Sequence, residues 1–379
     1  MLFKDVIGHN ELKKRLIQTV NEGRISHAQL FLGKSGYGTL PLALAYAQYV
    51  CCENRLAEDS CGSCPACHKF SKLIHPDLHF AFPVNTSAKI TKDPVSNSYL
   101  SQWRELVTDS PYFDEHSWYE YIGIENKQGI IGKNEAELIL QKMSFKPYES
   151  DYKIMLIWLP ERMNATAANK LLKLVEEPPQ NTIFLMVSDN ADSVIKTILS
   201  RTQLVKVPPI EEQALSEKLT EEFNLSEHEA KVLARLSAGS YIEAGRIVKQ
   251  QDEENDFFES FATIMRRAYA GDILAMLGWA DDIARMGREQ QKSFLAYCMR
   301  MIRENFILNL KVDATYITGE EKEFSQKFSQ FIGQHNVYQI SAELNLAIAH
   351  IGQNGSAKII FSDLALKLAQ LLKMKPAAV

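Results

Sequence analysis

The chain has 379 residues, of which 46% are hydrophobic and 23% charged, and its formal net charge is -5 at pH 7. This length suits about two or three domains with cores of their own, and the negative charge gives no chain-wide reason to bind nucleic acid. The longest apolar runs fall far short of the roughly 18 residues that a membrane span needs, and the amino terminus has no secretory signal pattern. We therefore expect a cytoplasmic, multidomain protein without membrane contact.

The amino-terminal part of the sequence predicts a strand, a glycine-rich loop and a helix in direct succession. The run Leu30-Phe31-Leu32 is short and apolar, as expected for a buried strand. Glycines punctuate residues 33–38, and Pro41 is tolerated in the first turn of the helix predicted after them.

Further strands are predicted at residues 78–82, 154–158 and 183–187. The last two are unbroken apolar runs, as in strands that are covered on both faces of a sheet. A helix with one apolar stripe lies between them and ends at Pro178-Pro179. This alternation predicts a doubly wound α/β domain with a mostly parallel sheet.

An inserted subdomain is predicted at about residues 85–128, where a polar stretch interrupts the α/β pattern. Aromatic side chains of this stretch can stack on bases. They are Tyr99, Trp103, Tyr112, Phe113, Trp118, Tyr119 and Tyr121. Acidic residues accompany them with Arg104 as the nearby cation, and that charge repels phosphate. The composition therefore favours packing or protein contact.

Beyond Val207-Pro208-Pro209 the strand patterns end and the sequence predicts helices. A small helical unit is predicted to about residue 250, and a larger one from there to near the end. One helix of the larger unit places Cys298 on an apolar stripe, which makes this cysteine most simply a small core residue.

The loop after the first strand has the frame of a phosphate-binding loop without its key side chains. A working loop reads G-x-x-x-x-G-K-[S/T]: backbone N–H groups cradle phosphate, the lysine reaches the outer phosphates and the hydroxyl holds magnesium. Gly33 and Gly38 are in register, but Thr39 replaces the lysine and Leu40 replaces the hydroxyl residue. ATP binding is therefore expected to be weak or absent. A residual phosphate site and a chance glycine turn are the alternatives.

The third predicted strand also lacks the acidic residues that orient magnesium and the attacking water in nucleotide hydrolysis. It ends in Trp158-Leu159, and Glu161 lies beyond Pro160, out of the expected register. Because both catalytic elements are missing, the chain's own nucleotide site is predicted to be inactive.

All cysteines except Cys298 lie between residues 51 and 67. In a reducing cytosol such clustering is typical of a metal site rather than of disulfides. Cys61, Cys64 and Cys67 form tandem C-x2-C steps, and a fourth thiol from the end of the preceding helix completes the tetrahedron that zinc prefers. We expect a closed, structural zinc site, with an iron–sulfur cluster or free thiols as alternatives. Either Cys51 or Cys52 is near enough to supply the fourth sulfur.

Several segments of the sequence are similar to one known family. They are residues 3–9 (FKDVIGH), 23–28 (GRISHA), 167–179 (AANKLLKLVEEPP) and 198–202 (ILSRT), together with the cysteine spacing. They resemble the delta-prime subunits of bacterial DNA polymerase III clamp loaders, within the AAA+ group, and the segment 167–179 is the most specific match.

This resemblance implies roles for individual residues. The family's cysteine spacing makes Cys52 the fourth metal ligand. The segment Ser200-Arg201-Thr202 is similar to the family's Ser-Arg-Cys motif, so Arg201 is implied to be an arginine finger that reaches the γ-phosphate of ATP bound by a neighbouring subunit. An ordinary surface ion pair is the alternative. Active family members carry a sensor arginine where this chain has Ile242, a further departure from the ATP-hydrolysing gamma or tau subunits.

The resemblance also implies an arrangement of domains. It predicts an AAA+ P-loop-like domain over residues 1–208 with a zinc module at about 51–68, a helical lid over 209–250, and a helical collar for oligomerisation over 251–379. The implied function is that of a non-hydrolysing stator within a DNA-directed DNA polymerase holoenzyme. Its implied partners are the gamma/tau ATPase subunits and the delta subunit, and indirectly the sliding clamp and primed DNA.

Other functions stay open at this point. An ATP-hydrolysing gamma/tau-like loader subunit with an atypical phosphate loop would bind magnesium and ATP tightly. A zinc-dependent DNA-binding module acting alone would bind DNA without partners, which the acidic balance does not favour.

Overall fold

The computed structural model describes residues 1–124, 127–310, 319–353 and 355–374. The chain divides into two compact units, Met1–Ile247 and Val248–Val379. The predicted insertion includes residues 125 and 126, which lie outside the described residues. In the described stretches every helix is too short or too polar to cross a bilayer.

A five-stranded sheet runs through the first unit. Its strands are β1 (Ala28–Leu32), β2 (Leu78–Ala81), β3 (Lys153–Trp158), β4 (Thr182–Ser188) and β5 (Gln203–Lys206). Their order across the sheet is β2-β3-β4-β1-β5, and each neighbouring pair is parallel. The parallel sheet predicted from the sequence is confirmed.

The sequence pattern did not predict β5, the edge strand beside β1. Gln203, Leu204 and Lys206 are exposed, so the segment has neither the unbroken apolar run of a covered strand nor enough length to show alternation. Only pairing with β1 makes it a strand, and that pairing is a long-range contact.

Helices surround the sheet in the first unit. They are α1 (Asn10–Asn21), α2 (Thr39–Cys51), α3 (Pro65–Ser71), α4 (Leu100–Asp109), α5 (Glu115–Tyr121), α6 (Lys133–Ser144), α7 (Ala165–Glu176), α8 (Lys196–Leu199), α9 (Glu212–Phe223) and α10 (Glu227–Leu236). Single 3-10 turns lie at Phe3–Asp5, Ser96–Tyr99, Pro160–Arg162 and Ala191–Ser193.

The two faces of the sheet are covered by different helices. Alternate residues such as Leu156 and Leu185 pack with α2 and with aromatic residues of the insertion. Their neighbours Met155 and Phe184 pack with α6 and α7 on the other face. Strand side chains alternate between faces, so this division gives the doubly wound α/β fold that the sequence predicts.

The aromatic residues of the insertion form part of the core. Trp103 and Trp118 are fully buried, with ring centroids 5.3 Å apart in an edge-to-face contact. Trp103 also stacks on Phe82 at 4.3 Å. These contacts confirm packing as the role of the two tryptophans and leave them unavailable to bases.

The described residues of the second unit form helices and short connections. Its helices are α12 (Ile273–Ala284), α13 (Arg288–Asn309), α14 (Gly319–Phe328), α15 (Val337–Gly352) and α16 (Ala357–Leu371), with a 3-10 turn at Ser329–Phe331. Cys298 is buried in its core, as predicted. The predicted boundary near residue 250 falls within α11 (Tyr241–Ala270), and the division into P-loop domain, lid and collar stays a prediction.

Candidate functional site

The phosphate loop lies between the carboxyl end of β1 and the amino end of α2, the location expected for phosphate binding. Gly38 precedes α2 with φ 84°, a left-handed conformation that suits glycine. Thr39 and Leu40 are each 5% exposed, and the Thr39 hydroxyl donates to the Gly33 carbonyl at 3.4 Å. The substitutes for lysine and magnesium ligand are thus directed into the protein.

The end of β3 carries large apolar side chains in place of acidic residues. Trp158 and Leu159 are buried, and the Trp158 ring lies 5.2 Å from that of Phe113 and 5.3 Å from that of Trp103. Leu159 has φ 56°, a left-handed conformation that costs about 1–2 kcal/mol in a residue with a Cβ atom. Surrounding packing therefore holds this strand end in a strained turn.

Two acidic residues meet beside this strand end. The Glu161 carboxylate accepts a hydrogen bond from the Asp189 N–H at 3.2 Å, while its second oxygen is buried without a hydrogen-bond partner among the described residues. Burial, and then the charges of Glu161, Glu115 and Asp114, raise the pKa of Asp189 to about 7. Burial also raises the pKa of Glu161. The pair carries less negative charge near neutral pH than two ordinary carboxylates.

The start of α11 lies directly on the phosphate loop. The Tyr241 N–H donates to the Gly36 carbonyl at 3.0 Å, and the Ser240 hydroxyl donates to the Ser35 carbonyl at 3.1 Å. Ile242, which occupies the predicted sensor position, follows in the first turn of α11. Its aliphatic side chain offers no charge to a phosphate.

The four predicted metal ligands converge at the amino end of α3. The sulfur atoms of Cys52, Cys61, Cys64 and Cys67 all lie within 4.8 Å of one another. Measured Sγ–Sγ distances are 3.6 Å for Cys52–Cys61 and Cys52–Cys67 and 3.9 Å for Cys61–Cys67. A tetrahedron with metal–sulfur bonds of about 2.3 Å has an edge of about 3.8 Å. The cluster therefore fits a tetrahedral metal ion of the size of zinc.

Cys51 lies outside this cluster. Its thiol accepts a hydrogen bond from the Ser150 hydroxyl at 3.5 Å and donates to the Tyr152 carbonyl at 3.8 Å. Burial raises its pKa to about 12. Of the adjacent cysteines, Cys52 has the geometry of a ligand and Cys51 does not.

Arg201 lies in the turn between α8 and β5. Its Nε donates to the Glu176 carboxylate at 2.9 Å and its Nη1 donates to the Thr197 carbonyl at 3.0 Å. Nη2 makes no hydrogen bond with the residues that the structure describes, and 32% of the side chain is exposed. The sequence did not predict the pairing with Glu176, because charge alone does not specify which acid an arginine meets.

Arg201 is remote from the chain's own phosphate loop. It precedes β5, whose Gln203 is level with Gln29 in β1, whereas the loop begins after Leu32 at the other end of that strand. At about 3.3 Å per residue, Gln29 and Leu32 are separated by roughly 10 Å along the sheet. Arg201 and the chain's own phosphate loop therefore lie at opposite ends of β1 and β5.

One family model matches more than half of the chain. The family described as "DNA polymerase III, delta subunit" matches residues 8–211. The matched span contains the phosphate loop, the cysteine cluster and Arg201. The chain belongs to this family. The resemblance to clamp-loader subunits of DNA polymerase III that the sequence motifs indicated is thereby confirmed.

Relatives of this family share about a quarter of the aligned residues. DNA polymerase III subunit delta' of Bacillus subtilis (strain 168) is 27% identical over 261 residues, which are 68% of this chain and 64% of that protein. Subunit delta' of Haemophilus influenzae is 25% identical over 69% of this chain and 68% of its own length. Subunit tau of B. subtilis is 24% identical over 65% of this chain, but only 37% of tau is matched.

A solved structure from Thermotoga maritima, a DNA polymerase III gamma subunit-related protein, aligns with 96% of this chain and all of that chain. Its identity to this chain is 15% and its TM-score is 0.35.

Proposed function

We propose that the chain is the non-hydrolysing, delta-prime-like stator of a DNA polymerase III clamp loader and helps ATPase subunits place the sliding clamp on primed DNA. The observation that carries the proposal is the phosphate loop. Its glycine frame is kept, yet Thr39 and Leu40 fill the lysine and magnesium-ligand positions and are buried. These two positions then supply neither the cation that contacts the outer phosphates nor the hydroxyl that holds magnesium.

In this proposal Arg201 acts on a neighbour's ATP. Its pairing with Glu176, an acid with 55% of its side chain exposed, is a surface ion pair, and such a pair contributes only about 0–1 kcal/mol. A γ-phosphate brings more negative charge than one carboxylate, so Arg201 can exchange its partner at little cost. The ion pair with Glu176 holds the guanidinium in place until the neighbour binds ATP.

The cysteine cluster is proposed to hold a structural zinc ion. Four thiolates close the coordination shell and leave no position for water. The ion would join the carboxyl end of α2 to the amino end of α3 and fix the loop between them.

The proposed partners are the gamma/tau ATPase subunits and the delta subunit, with a cytoplasmic location. Residues 251–379 are the proposed collar that joins them. Relatives named delta', gamma and tau support a place in this assembly, and the net charge of -5 argues against a DNA-binding module acting alone.

The main rival is an ATP-hydrolysing gamma/tau-like subunit, because proteins of those names also match this chain at about 24–25% identity. Titration of the purified chain with a fluorescent ATP analogue and magnesium distinguishes the two functions. We expect no magnesium-dependent binding at nucleotide concentrations below about 1 mM, which corresponds to the weak end of ordinary affinities. Tight binding would contradict the reading of Thr39 and Leu40 and favour the rival.

A further inference from the structure

Residues 111–114 of the insertion lie in the cleft beside the phosphate loop. Pro111, Tyr112 and Phe113 line it together with loop residues and Trp158. The space left has a volume of about 20 Å³, whereas sites for small molecules have volumes of roughly 300 Å³ or more. The cleft is therefore filled by the chain itself.

Tyr112 touches the parts of the cleft that a nucleotide would occupy. A Cβ atom placed on Gly38 would stand 3.3 Å from two atoms of the Tyr112 side chain, so the tyrosine lies against the amino end of α2, where phosphate is expected. Its hydroxyl accepts a hydrogen bond from the Ile7 N–H at 2.9 Å. Its ring lies 4.9 Å from that of Tyr241 at the start of α11.

Asp114 makes a second contact with α11, through Arg246. Its carboxylate pairs with Arg246, which lies one helical turn after Ile242 in the sequence of α11. The same carboxylate accepts the Ser117 N–H at 2.9 Å and so caps α5. Burial acts to raise the pKa of Asp114, but the hydrogen bonds from Ser117 and the charge of Arg246 bring the pKa below its ordinary value. Asp114 is thus an anion at neutral pH, as a phosphate group would be.

Phe113 fixes this segment from the other side. Its ring lies 5.2 Å from Trp158 and 5.6 Å from Trp103, in the aromatic core of the insertion. The segment is thereby held through the consecutive residues Tyr112, Phe113 and Asp114 and is not a loose loop resting on the surface.

We propose that residues 111–114 occupy the nucleotide cleft in place of a ligand. Tyr112 contacts the phosphate loop, and Asp114 pairs with Arg246. The inference rests on the proposed inactive site and adds that the site is occupied as well as unreactive. Contacts from one segment to the loop, to Ile7 and to α11 hold these parts of the first unit together without nucleotide. The function of the insertion would then be to keep the first unit of the stator in one conformation while neighbouring subunits bind and hydrolyse ATP.

Restoring the loop chemistry tests occupancy directly. The double variant T39K/L40T supplies the missing lysine and hydroxyl, and we expect it still not to bind a fluorescent ATP analogue with magnesium. Adding Tyr112→Ala should raise the affinity by at least about tenfold, equivalent to about 1.4 kcal/mol. T39K/L40T combined with Tyr121→Ala is the matched control, since Tyr121 is an exposed tyrosine of the same insertion.

These titrations separate failure of the inference from failure of the proposed function. Binding by the unaltered chain would overturn the inactive site. Equal affinities of the double variant and the Tyr112→Ala triple variant, whether both bind or neither does, would overturn occupancy by Tyr112.

Hydrogen exchange tests the same contacts without nucleotide. Tyr112→Phe removes the acceptor of the Ile7 N–H and should accelerate exchange of that amide, while Tyr112→Ala should also accelerate exchange at Tyr241, whose N–H bonds to Gly36. Tyr121→Ala should leave both amides unchanged. Unaltered exchange at Ile7 and Tyr241 in the Tyr112 variants would contradict the proposal.

Discussion

At the scale of single residues, Asp189 of the cleft beside the phosphate loop has an unusually high pKa. It follows β4 and lies beside Glu161, and burial with neighbouring negative charges raises its pKa to about 7. An unfolded aspartate has a pKa of about 3.9. Because the folded value is higher, the stability that protonated Asp189 provides is complete below about pH 4 and is lost as the pH rises through about 7.

Replacement by asparagine should remove this pH dependence. Asp189→Asn cannot ionise, so at pH 8 we expect its free energy of unfolding to exceed that of the unaltered chain by on the order of 1–2 kcal/mol. The difference should shrink as the pH falls toward 4. Denaturant unfolding at a series of pH values measures it, with the nearby exposed Asp192→Asn as control. A difference that does not vary with pH would show that the charge of Asp189 is not the cause.

At the scale of elements, the cysteine cluster connects the carboxyl end of α2 to the amino end of α3. Cys52 caps the carboxyl end of α2, and the Cys64 thiol accepts the Cys67 N–H at 3.4 Å at the amino end of α3. Neighbouring cysteines at the end of α2 provide a matched pair of variants, because Cys52 lies in the cluster and Cys51 does not.

Metal content should follow this difference. Cys52→Ser and Cys61→Ser should each lose bound zinc, whereas Cys51→Ser should retain about one ion per chain because its thiol is not a ligand. Elemental measurement of the purified variants checks this. Equal zinc content in the Cys51 and Cys52 variants would refute the ligand assignment, and iron in place of zinc would identify a different cluster.

The element scale also shows which parts of the fold the sequence can predict. Strands β3 and β4 are covered on both faces and therefore appear as unbroken apolar runs. β5 is an exposed edge strand, and its assignment depends on pairing with β1. The role of Tyr112 depends on contacts with Ile7, Gly38 and Tyr241, which are distant in the sequence. Local patterns identify the aromatic richness of the insertion but not the cleft that it fills.

At the scale of the whole molecule, the residues at the chain's own nucleotide site differ from the residue proposed to act on a neighbour's nucleotide. Positions that would act on the chain's own nucleotide are replaced by Thr39, Leu40, Trp158 and Leu159, and all of them are buried. Arg201, which lies at the other end of the sheet, keeps its Nη2 without a hydrogen bond to any residue in the described part of the chain. Motif spacing could predict both sets, because each depends on short segments. It could not predict that Glu176 holds Arg201, since that pairing joins the end of α7 to a turn 25 residues later.

The most direct test of this account is the ATPase rate of the reconstituted clamp loader, stimulated by clamp and primed DNA. Arg201→Ala should lower the turnover rate by about tenfold or more with the assembly intact, since an arginine finger contributes a large factor to phosphoryl transfer. Arg235→Ala is the matched control, because Arg235 also forms a surface ion pair, with Glu212 at 2.8 Å. An Arg201→Ala complex that assembles normally and hydrolyses ATP as fast as the Arg235→Ala complex would contradict the claim that this chain serves a neighbour's site.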